Sequence, residues 1–417
     1  MYTKAILVLD LLEEAGFPSR LAGGCVRDRL LGITPDDYDI ATKALPDDVI
    51  RVLSDHGINV VPTGIDHGTV SAVFGSRVIE ITTLRKDVTP MGRRAIVEFG
   101  DVSFKEDASR RDFTVNAMFE DRNQKIYDYF GGVDDIKNKR LRFVGDASLR
   151  IKEDYLRILR FFRFWAKLRF TPLEEEIQKI SNHKEGLRCI SQERITSEIK
   201  KIFTYPEILP VLQSMQATGV LAEVFKGFSV SRDDIHSIDK LATTSSSSEF
   251  LYIFRFSYIV KQSLDSHLLS LKEVETRLKD LKLSNLEVQR IKFFSGFESE
   301  LLSLKASDQA SLMDFIDELE NSIRAEFCSV FINYFSFCIK DKTLLALISR
   351  IEEVEHSYKE IRKAPLPING SDIKKEFNLK TERQIGVMLT YLKTQFRLLN
   401  WKTYKEGINL VKGKFFQ

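Results

Sequence analysis

The strongest constraint on this chain's fold is where its structure-breaking residues lie. Thirteen of its 21 glycines lie in residues 1–150, where they predict turns and short strands. Residues 211–364 hold no proline and only three glycines, Gly219, Gly227 and Gly296. Glycine and proline interrupt regular elements, so a long segment nearly free of them predicts stacked helices. Together the two parts predict a mixed α/β head followed by a helical body. At 417 residues the chain has room for two to four domains of roughly 100–200 residues each. A hydrophobic fraction of 43% and a charged fraction of 29% exclude a collagen-like, fully disordered or disulfide-stapled chain.

Local patterns fill in this outline. Asn59-Val-Val-Pro62 and Gly68-Thr-Val-Ser-Ala-Val-Phe74 predict short strands, and Ser76–Thr83 follows after a turn at Gly75, giving a hairpin. Lys125–Tyr129, closed by Gly131 and Gly132, is a further strand candidate. Ile151, Leu156, Leu159 and Phe162–Phe164 predict one helix over 150–170. The polar run Thr243–Ser248 predicts an exposed loop. Lys363–Asp372, with two prolines and a glycine, predicts the edge of a small C-terminal unit.

Cys25, Cys189, Cys328 and Cys338 have no C-x-x-C spacing, which suits a reducing compartment and argues against a zinc site. The opening Met1–Phe17 reads as an amphipathic helix and not a signal peptide, because Asp10, Glu13 and Glu14 interrupt it. The most apolar long uncharged stretch, Phe327–Ile339, falls short of the ~20 residues that a membrane span needs. The expectation is a soluble, cytoplasmic protein with no membrane partner.

Net charge is only +2, but its distribution is uneven. Residues 137–170 carry eleven Lys and Arg against three Asp and Glu, and residues 393–417 carry six against one. Two basic stretches on a near-neutral chain suit a phosphate-rich partner.

Three motifs carry chemistry. In Leu21-Ala-Gly-Gly-Cys-Val-Arg-Asp28, the paired glycines let backbone approach a phosphate, since no Cβ intervenes. Gly24 and Arg27, at the start of a predicted helix, would share that phosphate. Asp37 and Asp39 follow. Residues i and i+2 of a strand share a face, and two carboxylates there suit Mg²⁺, which completes its shell with phosphate oxygens and water. Glu80, in a predicted strand, is a weaker candidate for a third acidic group.

The second motif is Arg110-Arg-Asp-Phe-Thr-Val-Asn-Ala117. Its adjacent arginines suit triphosphate or primer phosphate. Asp112 would orient an arginine or hold a ribose hydroxyl, and Asn116 would do similar local work or cap a helix. The third is Glu153-Asp-Tyr-Leu-Arg-Ile-Leu-Arg-Phe-Phe-Arg163. On one continuous helix Asp154 and Arg157 are neighbours at i and i+3, with Arg160 and Arg163 continuing the row. A carboxylate beside a guanidinium offers an acceptor beside donors, which matches the edges of cytosine and adenine and rejects those of uracil and guanine. Phe161, Phe162 and Phe164, interleaved with the arginines, predict a one-sided functional face.

In this order and spacing, the three motifs resemble the class II tRNA nucleotidyltransferases, the CCA-adding enzymes, and their bacterial poly(A) polymerase relatives. The similarity runs over about residues 15–205, including Pro62–Ser71 and Ile190–Ile195, and returns weakly at Pro367–Ile373. It implies an α+β fold: a polymerase-β-like catalytic head over 1–137, a neck that recognises the base over 138–205, a helical body over 206–364 and a tail over 365–417, the last two binding tRNA. Asp37 and Asp39 would be catalytic and bind metal. Gly24, Arg27 and Arg111 would hold the triphosphate. Asp154 and Arg157 would read the base, supported by Arg160 and Arg163. Residues 85–99 would form a mobile loop that helps the site change from CTP to ATP. The implied activity is template-independent addition of C, C and A to a tRNA 3′ end, with Mg²⁺ as cofactor. Poly(A) polymerase, a partial CC- or A-adding enzyme, and a catalytically silent RNA-binding scaffold are the alternatives.

Overall fold

The computed structural model describes residues 1–89, 96–228, 230–241, 248–303, 366–379, 381–399 and 403–416. Several sequence-based expectations lie outside these residues: Thr243–Ser247 of the polar run, the apolar stretch Phe327–Ile339, Cys328, Cys338 and residues 90–95 of the loop. The chain divides into two compact units, residues 1–239 with 277–283, and residues 240–276 with 284–417.

The first unit is built on a seven-stranded mixed sheet in the order β3-β4-β5-β2-β1-β8-β9. Its strands are β1 (Ser19–Ala22), β2 (Asp39–Thr42), β3 (Asn59–Gly64), β4 (Thr69–Phe74), β5 (Arg77–Thr83), β8 (Met118–Glu120) and β9 (Ile126–Asp128). The expected hairpin is present as β4 and β5, turning at Gly75 with Phe74 opposite Arg77. Strands β2 and β5 run parallel, which places Asp39 beside Glu80. A separate hairpin is formed by β6 (Arg85–Thr89) and β7 (Ile96–Phe99).

Alternation along the strands gives the sheet two covered faces. Helices α1 (Tyr2–Glu14) and α3 (Pro46–Asp55) pack on the sheet, and Leu21, Ile40, Val70, Ile79 and Ile81 are buried. Pro46 at the first turn of α3, followed by Asp47 and Asp48, suits the free N–H groups and positive end of a helix. Ala22 and Ala41 alternate to the opposite face. There they join a cluster with Phe104 and Ala108 of α4 (Phe104–Ser109) and Phe119 of β8. A capping box of Ser103 and Glu106 starts α4, fixing the segment that carries Arg110 and Arg111.

After the short helix α2 (Gly24–Leu30) and α5 (Gly132–Lys137), a two-residue strand β10 (Arg140–Leu141) pairs with β11 (Thr171–Pro172). Between them the expected single helix over 150–170 is two helices, α6 (Ala147–Glu153) and α7 (Leu156–Leu168). The break is at Asp154, which is extended with φ −153° and ψ 104°. Its Oδ1 accepts from the Leu156 N–H at 3.1 Å and satisfies a free donor at the start of α7. Helix α7 ends at Arg169 in a left-handed conformation, φ 54°.

The phenylalanines interleaved with the arginines of α7 are core residues, and Phe164 also lines a cleft of the first unit. Phe161 and Phe162 are fully buried and Phe164 is nearly so. Phe161 stacks on Phe143 at 5.3 Å, and Phe113 lies 5.0 Å from Phe143 and 5.3 Å from Phe164. Such ring pairs are worth roughly 0.5–1.5 kcal/mol each beyond the area they bury. They fasten the loop of the second motif to α7. Helices α8 (Glu174–His183), α9 (Gln192–Thr204), α10 (Leu209–Ala217), α11 (Val220–Val224) and α12 (Arg232–Lys240) continue the chain.

In the second unit, Phe254 of α13 (Ser248–Asp265) meets Phe294 of α15 (Asn285–Ser303) edge to face at 4.9 Å. Helix α14 (Leu271–Asp280) lies between them in sequence. Helices α16 (Gly370–Glu376), α17 (Glu382–Leu399) and α18 (Tyr404–Phe415) share a core of Ile368, Ile373, Met388, Leu392, Ile408 and Val411. No helix among the described residues is long and apolar enough to cross a membrane.

Glu176 of α8 is a buried carboxyl that the sequence did not single out. It is 3% exposed. Its Oε1 accepts from the Phe143 N–H at 3.2 Å, while Oε2 has no hydrogen-bond partner. Burial pushes its pKa up to about 7. An acid with a raised native pKa binds more protons folded than unfolded, so its contribution is favourable at low pH and falls as pH rises from the unfolded value to about 7. Glu176→Gln should therefore flatten the pH dependence of stability. The variant should gain roughly 1 kcal/mol or more relative to the parent between pH 5 and pH 8, measured as the midpoint of urea unfolding at each pH.

Candidate active site

A cleft of about 730 Å³ in the first unit collects most of the residues singled out from the sequence. Gly24, Arg27, Asp39, Glu80, Arg111, Asp154, Arg157, Arg160 and Arg163 all line it. Asp37 does not appear in that lining. It is exposed and precedes β2, which begins at Asp39, so strand alternation is not what relates the two carboxylates. Their charges still interact. Asp39 is also exposed at its surface, yet the protein crowded around its carboxyl, then Glu80, then Asp37 push its pKa up to about 6, against an opposing pull from Arg111.

The glycine turn sits directly against the arginines. Gly23 has φ +70°, and a Cβ there would lie 2.8 Å from Arg111 Nη1. Its carbonyl accepts from the Arg27 N–H at 3.1 Å as α2 begins. Beneath this turn the Cys25 thiol donates to the Ala22 carbonyl at 3.3 Å, and burial pushes its pKa up to about 11. It is a packed neutral thiol.

Seven arginines of the cleft are held by carboxylates, while Arg85 donates to the His67 carbonyl. Arg27, 2% exposed, bonds Asp28 Oδ1 at 2.8 Å through Nε and the Asn116 side-chain oxygen through Nη1. Arg110 and Arg111 share Asp107, at 2.6 Å and 3.0 Å. Burial alone would raise the Asp107 pKa, but Arg111 and Arg110 together hold it below the usual carboxylate range. Asp112 behaves alike: burial opposes ionisation, and Arg160, Asn116 and the Phe113 N–H more than offset it. Arg160 Nε donates to Asp112 Oδ2 at 2.8 Å. Arg163 bonds Glu198 of α9 at 3.2 Å.

Asp154 and Arg157 are not the helical ion pair their spacing implies. Because the helix breaks at Asp154, its Oδ2 accepts from Arg194 of α9 at 2.7 Å. Arg157 instead bonds Glu153 at 2.5 Å and the Arg110 carbonyl at 2.9 Å. Both still face the cleft. Sequence reasoning gave no individual role to the cleft residues Lys167, Arg194 and Tyr205, and it noted Arg85 only as the start of the 85–99 loop. Arg194 falls inside the noted Ile190–Ile195 stretch, whereas Tyr205, just past α9, has no local signal.

Among the described residues, no three His, Cys, Asp or Glu side chains converge as a metal cage. The donor set still suits a hard divalent ion. Mg²⁺ is commonly bound by one or two carboxylates plus substrate phosphates and water. The crowding of Glu80 and Asp37 that raises the Asp39 pKa is relieved by a cation.

A cleft beside a mixed sheet that is lined by both carboxylates and arginines has the chemistry of a nucleotide-handling enzyme. Residues 19–142 match the family described as "Poly A polymerase head domain", and residues 169–231 match "Probable RNA and SrmB- binding site of polymerase A". The mouse protein "CCA tRNA nucleotidyltransferase 1, mitochondrial" is 31% identical over 98% of this chain and 89% of its own length. The chain belongs to the CCA tRNA nucleotidyltransferase family. The crystal structure of the Bacillus stearothermophilus CCA-adding enzyme in complex with CTP superposes with a TM-score of 0.69 at 25% identity, covering 99% of this chain and 97% of that one. A tRNA nucleotidyltransferase complexed with a primer tRNA and an incoming ATP analog shares the fold, with a TM-score of 0.65 at 21% identity, over 85% of this chain and 98% of that one.

Two outcomes follow for the cleft. In the protein without nucleotide or metal, Asp39 should titrate near pH 6 by carboxyl NMR, and Glu80→Gln should move that titration toward ordinary carboxylate values. Gly23→Ala should displace Arg111 and add roughly 1 kcal/mol or more of backbone strain. It should weaken nucleotide binding while circular dichroism remains that of the parent.

Proposed function

We propose that this chain adds C, C and A to the 3′ end of tRNA from CTP and ATP, without a nucleic acid template, releasing pyrophosphate. The observation that carries the reading is a cleft lined together by Asp39, Glu80, Arg27, Arg111, Asp154 and Arg157, in a chain similar along nearly its whole length to CCA enzymes.

In this reading Asp39 and Asp37 hold Mg²⁺, with Glu80 beside Asp39 in register as a further acidic neighbour. Held there, such an ion would supply Lewis-acid chemistry toward the primer hydroxyl and charge screening toward pyrophosphate. Gly24 offers backbone without a side chain, and Arg27 and Arg111 offer fixed guanidiniums, to the triphosphate oxygens. Asp154 keeps acceptor capacity after its bonds to Arg194 and Leu156, because a carboxylate has about four lone-pair sites. Arg157 adds donors beside it. Arg160 and Arg163 keep the floor of the cleft positive. The attacking ribose and the α-phosphate react because they are held in line. The basic 137–170 stretch and the C-terminal basic stretch suit the tRNA backbone, which an A-form helix presents more readily than its base edges. We also place the head, neck, body and tail at 1–137, 138–205, 206–364 and 365–417, and the chain in a reducing, cytoplasmic compartment. The unbridged Cys25 and Cys189 support that placement.

The deciding experiment supplies tRNA ending at the discriminator base with CTP alone, ATP alone and both, and sizes the products. CCA addition gives two nucleotides with CTP and three with both. A long adenosine tail assigns poly(A) synthesis, and RNA binding without incorporation assigns a scaffold. Asp37→Ala and Asp39→Asn should each lower transfer by roughly a hundredfold or more with the fold intact. Arg157→Ala should reduce discrimination against UTP and GTP by roughly tenfold or more in kcat/KM ratios. Unchanged discrimination would remove Arg157 from the base-reading role.

A further inference from the structure

We propose that the side-chain amide of Asn116 is the positioning group that holds the phosphate side and the base side of the cleft in register. The inference builds on the reading above, in which Arg27 meets the triphosphate and Arg160 supports the nucleotide.

The amide stands between two opposite charges. Asn116 is 8% exposed. Its Oδ1 accepts from Arg27 Nη1, and its Nδ2 donates to Asp112 Oδ1 at 3.1 Å. The other oxygen of Asp112 accepts from Arg160 Nε at 2.8 Å. The Asn116 backbone carbonyl accepts from Arg111 Nη1 at 3.3 Å. The direction of the amide is forced by chemistry: a guanidinium has no acceptor and an ionised carboxylate has no donor. The group between them must therefore present an acceptor to one and a donor to the other. An amide does this without adding charge, so Arg27 keeps positive character toward the cleft while Asp112 serves Arg160. Neither half is local in sequence, since Arg27 is on α2, Arg160 on α7, and Asn116 in the loop between α4 and β8.

Asn116→Asp tests this by removing the donor and leaving the shape. The charged groups facing position 116 are Arg27 and Asp28 from α2, Arg111 after α4, Asp112 on the same loop and Arg160 from α7. At high pH the new carboxylate and Asp112 are both ionised at hydrogen-bond distance and repel. As pH falls, the pair takes up one proton. A protonated carboxyl at 116 then offers O–H to Asp112 and C=O to Arg27, the same pattern as the amide.

The experiment measures calorimetric CTP binding and CTP incorporation into tRNA for the wild type and Asn116→Asp from pH 6 to pH 8.5. The expected result is a deficit of roughly a hundredfold at pH 8.5 that narrows by roughly tenfold or more at pH 6, each value taken relative to wild type at the same pH. Asn116→Ala, which cannot regain the donor, should show a deficit independent of pH. The exchanged pair Asp112→Asn with Asn116→Asp restores one donor between the two positions. It should bind CTP at least roughly tenfold more tightly than Asn116→Asp at pH 8.5. A deficit of Asn116→Asp that is constant with pH, or an exchanged pair no better than the single variant, overturns the proposal. If the wild type binds CTP but transfers none, the functional reading fails, while the binding arms still decide the role of Asn116.

Discussion

Charge compensation beneath the cleft is the constraint on which the rest depends. The site gathers Arg27, Arg111, Arg157, Arg160 and Arg163 on one lining. Such a group of cations is tolerated in a folded interior only when each has an acceptor in place. Asp28, Asp107, Glu153, Asp112 and Glu198 supply those acceptors. Asp107 and Asp112 remain ionised despite burial because their arginines outweigh the loss of solvent. The acidic wall shows the opposite balance. Asp39 loses solvent and has Glu80 and Asp37 near it with Arg111 opposing them, so its proton is held more tightly. One side of the cleft is therefore satisfied within the protein, and the other is suited to a cation from outside.

The fold makes this arrangement rigid through contacts distant in sequence. The parallel pairing of β2 with β5 places Asp39 and Glu80 side by side. The cluster of Phe113, Phe143, Phe161 and Phe164 locks the arginine loop onto α7. The helix break at Asp154 frees its carboxylate for Arg194 and for the cleft. Had the helix continued, Asp154 would have lain beside Arg157 and the two would have satisfied each other, leaving less acceptor capacity toward the cleft.

Much of the site was legible because its chemistry is written in short segments. The Gly23–Gly24 turn, the arginine pair at 110 and 111, and Asp39 each mark a local backbone or charge requirement that one sequence displays, whereas Asp37 lies outside the cleft lining. The hairpin at Gly75 was legible for the same reason, since turn and alternation are local. The reading of 150–170 as one helix was not correct, because Asp154 has ordinary helical neighbours and only its side-chain bond to the Leu156 N–H breaks the ladder. The one-sided character of α7 was legible in its spacing, but the residues that cover its phenylalanines were not. Apolar periodicity shows that a face is covered, but not what covers it.

The sequence by itself determined the inventory: which carboxylates and guanidiniums exist, where the backbone can turn tightly, and that a glycine-rich mixed head precedes a helical body. Tertiary structure decided the partnerships. It gave Asp154 to Arg194, Arg160 to Asp112 and Glu80 to Asp39, and it set Asn116 between Arg27 and Asp112. The reason is physical. Turn and helix propensities act over a few residues, whereas a buried ion pair or an amide relay exists only once strands and helices far apart in the chain have closed to hydrogen-bond distance and excluded water.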